Sequence, residues 1–194
     1  PVLIDRSADV ADALCGGFLS WPTAARLREL GADPDALGAH RVTALRVFAG
    51  ERTVELPLRA QCYGLSRRAL DSALRHRAVE CGTRLEVDAV RTVDACRAVG
   101  QRRSWDGDGL FLATGKHDVR GYPRPRRSRD PAVGLRLRLP RSGERSALLA
   151  GEIDVMTTAP DSSELCVGEL SVVDNGLQVS LYPGQASVSF PYWE

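Results

Sequence analysis

Residues Val2 to Ile4 form a continuous apolar run that stops at Asp5-Arg6. A strand with one wet face alternates apolar and polar residues, whereas a strand covered on both faces does not. The run therefore predicts a buried parallel strand with charged residues where the chain emerges. A second run of this kind, Leu110-Phe111-Leu112-Ala113, ends at Thr114-Gly115. Between the two lies the clearest helix signal. Ser66 offers an N-cap, Leu70, Leu74 and Ala78 recur at four-residue spacing, and Gly82 stands where a left-handed residue closes a helix, which predicts a helix over 67–81. A shorter helix is predicted after Ser20, with Pro22 in its first turn, an apolar stripe through Ala24, Ala25, Leu27 and Leu30, and a stop at Gly31. Strands alternating with helices indicate an α/β core.

Elsewhere the periodicity is that of strands. Residues 42–58 alternate loosely around Ala49-Gly50-Glu51, as a β-hairpin with a tight loop would. Thr83 to Val93 alternates as one strand. Residues 116–131 hold six basic residues and three prolines, the composition of a loop. Beyond them Val133, Leu135, Leu137 and Leu139 alternate with polar neighbours, and further short runs make the tail β-rich without an internal repeat.

Bulk properties narrow the function classes. The 26 basic and 25 acidic residues leave a formal charge of +1, so no global field draws the chain to nucleic acid or to an anionic membrane. No apolar run approaches the roughly 18 residues of a spanning helix, and the first 20 residues lack the pattern of a secretory signal, so a cytoplasmic location is expected. The five cysteines, Cys15, Cys62, Cys81, Cys96 and Cys166, include no Cys-x-x-Cys pair, which predicts free and mostly buried thiols and no zinc site.

In a dinucleotide-binding βαβ unit, an acidic residue at the end of the second strand takes the adenosine ribose hydroxyls, about 20 residues after a glycine-rich turn. Asp5, followed by Arg6, stands in that setting, and the glycine turn is then expected upstream of residue 1. Four segments occur in one order and spacing: Val-Leu-Ile-Asp-Arg at 2–6, Cys-Gly-Gly-Phe-Leu-Ser at 15–20, Ser-Arg-Arg-Ala-Leu-Asp at 66–71, and Leu-Phe-Leu-Ala-Thr-Gly-Lys-His-Asp-Val-Arg-Gly at 110–121. Together they resemble FAD-dependent oxidoreductases related to geranylgeranyl reductases and to aromatic hydroxylases of the p-hydroxybenzoate hydroxylase type. The resemblance runs from residue 1 to about residue 155.

The resemblance implies an α/β fold: a Rossmann-like FAD/NAD(P)-binding core at 1–41 and 61–121, and a β-rich substrate-binding sheet at 42–60 and 132–194, with the N-terminal βα unit missing. It implies FAD as cofactor, NAD(P)H as a candidate electron donor, and an apolar or aromatic small molecule as substrate, with hydroxylation and double-bond reduction both open. On the matching positions, Asp5 and Arg6 would meet the adenosine ribose, although Glu is commoner than Asp there. Cys15-Gly16 would run beside the flavin ring, with Gly17 replacing the usual Glu. Arg67 would face the phosphate or adenosine side, and Ala113-Thr114-Gly115 would lie against the dinucleotide, where a glycine lets backbone approach a ligand.

Each role has a plainer counterpart. Cys15 suits a small packing residue better than a redox thiol, and Arg67 also suits a surface position in a first helical turn. His117-Asp118 is read as structural, because adjacent residues do not readily face one ligand and His40 and His76 fall in no ligand spacing with it. The arginines at 120, 124, 126, 127 and 129 suit a solvated loop, or an anion site. A rival to the enzyme is a non-catalytic remnant or binding module that no longer holds FAD.

Overall fold

The computed structural model describes residues 1–13, 15, 17–49, 52–115, 118–123, 135–139, 152–157, 166–173 and 176–183. The chain divides into two units, one of Pro1–Val10 with Arg75–Asp130 and the other of Ala11–Leu74 with Pro131–Glu194. The expected segmentation differs from this clustering in one respect: residues 11–41 and 61–74 group with the strands of the hairpin rather than with the segment that begins the chain.

In the first unit the opening apolar run forms strand β1 (Val2–Asp5), which pairs in parallel with a strand at Arg84–Val87, Leu3 opposite Leu85 and Asp5 opposite Val87. The parallel pairing is as expected, but the burial is incomplete. Val2 is 41% exposed, and among the described residues β1 has a paired neighbour on one edge only. The run at 110–113 departs further. It is not a strand, it pairs with neither β1 nor Arg84–Val87, and Phe111 is 96% exposed. An extended segment becomes a strand only when a neighbour takes its N–H and C=O groups, and apolar content alone cannot supply one.

The strand expected over Thr83–Val93 is broken in two. Asp88, only 5% exposed, accepts hydrogen bonds from the backbone N–H groups of Ala89, Gln101, Arg102 and Arg103 at 2.8–3.1 Å. A side chain that draws in the N–H of its own neighbour competes with the ladder and turns the chain. A three-stranded antiparallel meander follows at Thr92–Asp94, Arg97–Val99 and Ser104–Asp106, with Val93 and Ala98 buried on it. Gly121, at φ 98°, crosses the first of these strands so closely that a Cβ there would meet the carbonyl oxygen of Val93. Gly121→Ala is therefore expected to destabilise this unit by about 1–3 kcal/mol through strain and overpacking, read as a lowered urea midpoint. An unchanged midpoint would show that the crossing relaxes freely.

The second unit is built on one seven-stranded sheet. In chain order its strands are β2 (Phe18–Leu19), β3 (His40–Ala49), β4 (Arg52–Gly64), then, counting the four strands of the first unit from Arg84 to Asp106 as β5 to β8, β9 (Leu135–Leu139), β10 (Glu152–Thr157), β11 (Cys166–Val173) and β12 (Gly176–Pro183). Their spatial order is β2-β4-β3-β10-β11-β12-β9, antiparallel throughout except that β10 runs parallel to β3. The expected hairpin is β3–β4, with Ala49 opposite Arg52 at its tip. Its register shifts between Val42 and Ala44, whose partners are Cys62 and Pro57, so β4 carries a bulge of several residues there. The β-rich tail is the other half of the sheet.

Helix α1 (Trp21–Glu29) begins after Ser20 as expected, although the Ser20 hydroxyl bonds Thr23 Oγ1 at 3.0 Å instead of a backbone N–H. Helix α2 (Arg67–Glu80) has Ser66 as a working cap, its Oγ accepting the Ala69 N–H at 3.2 Å. Both helices end in the same motif. The N–H of Gly82, at φ 88°, donates to Val79 O and that of Thr83 to Ala78 O; Gly31 and Ala32 repeat this with Arg28 and Leu27. The apolar side of α1 and the start of α2 close a core of Leu19, Ala24, Leu27, Tyr63, Leu65 and Leu70, in which Leu65 is wholly buried. A smaller cluster forms around Val42 and Cys62, with Phe18, Trp21, Leu45 and Leu58 against it. Among the described residues no helix is long and apolar enough to cross a membrane.

Candidate functional site

The carboxyl ends of parallel strands are where open α/β sheets place ligands, because the loops that leave them diverge and expose backbone and side-chain polar groups. Asp5 occupies that end of β1, and its side chain is 42% exposed. Two groups hold it. The Ser7 N–H donates to Oδ1 at 3.1 Å, and Nη1 of Arg75 lies 3.4 Å from Oδ2. An ionised carboxylate has about four acceptor directions, two on each oxygen. Among the described residues each oxygen of Asp5 has one partner, and the side chain is 42% exposed, so the carboxylate has capacity left for the two adjacent hydroxyls of a ribose. On that test the residues present fit the adenosine half of FAD. Arg6, the next residue, is exposed.

Ala113, Thr114 and Gly115 are all exposed in the same unit, and Gly115 takes φ 61°, the left-handed conformation that explains a glycine at this point. Cys15 and Arg67 belong to the other unit, and Gly16 lies outside the described residues, as do His117 and the arginines at 124, 126, 127 and 129. Cys15 is exposed, as are Cys81 and Cys96; of these four cysteines only Cys62 is buried. The expectation of mostly buried cysteines is corrected accordingly, and Cys15 does not serve as core packing. Burial pushes the Cys62 thiol up. Arg67 forms an ion pair with Asp71 at 2.7 Å, one turn along its own helix. At the same helix start, Asp12 Oδ1 accepts the Arg68 N–H at 3.2 Å, so a carboxylate of the chain itself already meets the positive end of α2.

A second polar cluster lies in the larger unit. Tyr63, 2% exposed, donates its hydroxyl to Asp35 Oδ2 at 2.7 Å and accepts from Arg28 Nη2 at 2.6 Å, while Arg41 Nε reaches Asp35 Oδ1 at 2.8 Å. The Arg28 guanidinium also stands over the Tyr63 ring, 5.5 Å from its centroid. Arg41 first and Tyr63 next hold the Asp35 carboxyl below its ordinary value, and burial followed by Asp35 itself pushes the Tyr63 phenol up. The donors and acceptors answer one another, so the cluster ties residues 33–41 to β4 and α1. None of its members carries a sequence signal beyond polarity.

No family model matches the sequence, and no curated protein matches it. Solved structures do. The tetrameric form of 2-methyl-3-hydroxypyridine-5-carboxylic acid oxygenase is 19% identical at a TM-score of 0.66, covering 98% of this chain and 54% of its own. A flavin-dependent brominase gives 14% and 0.59, over 93% of this chain and 48% of its own. The peptidyl tryptophan dihydroxylase QhpG, essential for tryptophylquinone cofactor biogenesis, gives 18% and 0.60, over 93% and 39%. The chain shares the fold of these structures. It spans about half the length or less of these structures. The likeness at these identities is a likeness of fold.

Proposed function

We propose that the chain is part of an FAD-dependent oxidoreductase of the monooxygenase type acting on an aromatic or apolar small molecule, with NAD(P)H as electron donor. The observation that carries the reading is Asp5, at the carboxyl end of a parallel strand, with a 42% exposed side chain and one partner on each oxygen among the described residues. In this reading Asp5 and Arg6 meet the adenosine ribose and Ala113-Thr114-Gly115 lies along the dinucleotide; Cys15, Gly16 and Arg67 keep the cofactor roles that the resemblance implies. Bound flavin would supply the two-electron chemistry, and the chain's own residues would hold and desolvate it. Hydroxylation is preferred over double-bond reduction, because the solved structures of like fold include an oxygenase and a dihydroxylase.

The seven-stranded sheet, with residues 42–60 and 132–194, is assigned to the substrate. Val54 and Leu56 stand 52% and 47% exposed on β4, opposite Val47 and Leu45 of β3, and so make an apolar stripe on one face of the hairpin. An apolar ring laid on such a stripe gains the burial that a polar one would not.

A second reading, a binding module or remnant that no longer holds FAD, is favoured by one observation: Phe111, Leu112 and Ala113 are exposed and form no strand of the described sheets. Titration of the 194-residue chain with FAD, followed by quenching of flavin fluorescence, separates the two. Binding in the low micromolar range is expected; no binding at millimolar FAD would favour the remnant.

A further inference from the structure

We infer that Arg75 is a positioning residue that aims the Asp5 carboxylate at a ribose diol, an inference that rests on the reading of Asp5 given above. Its guanidinium makes three contacts in one turn of chain. Nη1 stands 3.4 Å from Asp5 Oδ2 and donates to Ser7 O at 3.1 Å, and Nη2 donates to Ala8 O. The side chain is only 16% exposed, against 42% for Asp5, so the cation is covered while the anion faces water.

This division of exposure is the reverse of what a surface ion pair on a helix gives, where both heads are solvated and the geometry is loose. A guanidinium is a rigid planar fork of five donors, so contacts to a carboxylate and two carbonyls fix the orientation of all three acceptors at once. The Ser7 N–H takes one direction of Oδ1, and Arg75 takes one of Oδ2. The Asp5 side chain as a whole stays 42% exposed, so the carboxylate can still accept from a ligand. Arg75 therefore touches neither ribose nor flavin in this scheme. It acts through Asp5 and through the backbone of residues 7 and 8, with α2 as the rigid element that carries it.

The probes are adenosine 5′-monophosphate and its 2′-deoxy analogue, which differ by one hydroxyl of the diol. The 194-residue chain is labelled with nitrogen-15 and titrated with each, and the amide shifts of Ser7 and Ala8 report binding. Wild type is expected to prefer the ribonucleotide by about tenfold or more, the value of one hydrogen bond to a charged group. In Arg75→Ala the preference is expected to fall to about unity. Arg75→Lys, which keeps the charge but not the fork, is expected to fall between, and it carries the test if the alanine variant fails to fold. A merely structural arginine would weaken both ligands equally and leave their ratio as in wild type, which would overturn the proposal. A wild-type ratio near unity would instead overturn the reading of Asp5, and the role of Arg75 with it.

Discussion

Replacing Asp5 with alanine is expected to weaken FAD binding by about 10- to 150-fold, the range that a lost hydrogen bond to an ionised group spans. The size of the effect follows from the site's geometry. Asp5 is the charged acceptor at the end of β1, 42% exposed while Ser7 and Arg75 each hold one of its oxygens. Asp5→Glu lengthens the reach by one methylene and is expected to retain most of the affinity. The comparison is read from flavin fluorescence titrations of the two variants beside wild type. An alanine variant that binds FAD within twofold of wild type would remove Asp5 from the cofactor site.

The second large effect concerns stability. Asp88→Ala leaves the N–H groups of Ala89, Gln101, Arg102 and Arg103 without the acceptor they share, and it is expected to lower Tm by roughly 5–10 °C. A merely local role, with water replacing the carboxylate at no cost, would show as a shift below about 1 °C. The same residue sets a pH dependence. Burial pushes the Asp88 carboxyl up, but the N–H groups of Arg102, Gln101, Arg103 and Ala89 outweigh it and hold the folded value below the ordinary 3.8. A depressed folded value means that the unfolded chain binds the proton first as pH falls. The stabilisation is thus fully present above about pH 4 and is lost as pH drops through the folded value. Asp35, held down by Arg41 and Tyr63, acts in the same direction. Acid unfolding followed by circular dichroism should be steep below pH 4 in wild type and shallower in Asp88→Asn.

Both helices are legible in the sequence because their signals are local: a serine before each, an apolar residue every third or fourth position, and a glycine that only a left-handed residue replaces well. The hairpin is legible for the same reason, with strand periodicity on each side of a short break. What escapes is non-local. The split of the strand near Asp88 depends on N–H groups 13 to 15 residues away, and nothing in the composition of 83–93 announces them. Leu110–Ala113 carries the right residues for a strand but not the pairing, which a neighbouring strand must provide.

The site divides in the same way. The place of Asp5 at the carboxyl end of a parallel strand is readable from the apolar run that stops there. Arg75 is not. In an amphipathic helix an arginine reads as one more solvated residue, and only the meeting of α2 with the turn after β1 gives it three acceptors. Asp12 at the start of α2 is equally silent, since its partner, the Arg68 N–H, lies 56 residues on.

The parallel pairing of β10 with β3 has a consequence for synthesis. Ala44 waits for Glu152, roughly 100 residues later, and at typical translation rates this is an interval on the order of 5–20 s. During that time β3 and β4 can zip as a hairpin, but the other edge of β3 stays open to any strand that reaches it. A nascent chain stalled before residue 152 would expose that edge to neighbouring ribosomes' products, so slow codons between the two strands would raise the yield of aggregates rather than lower it.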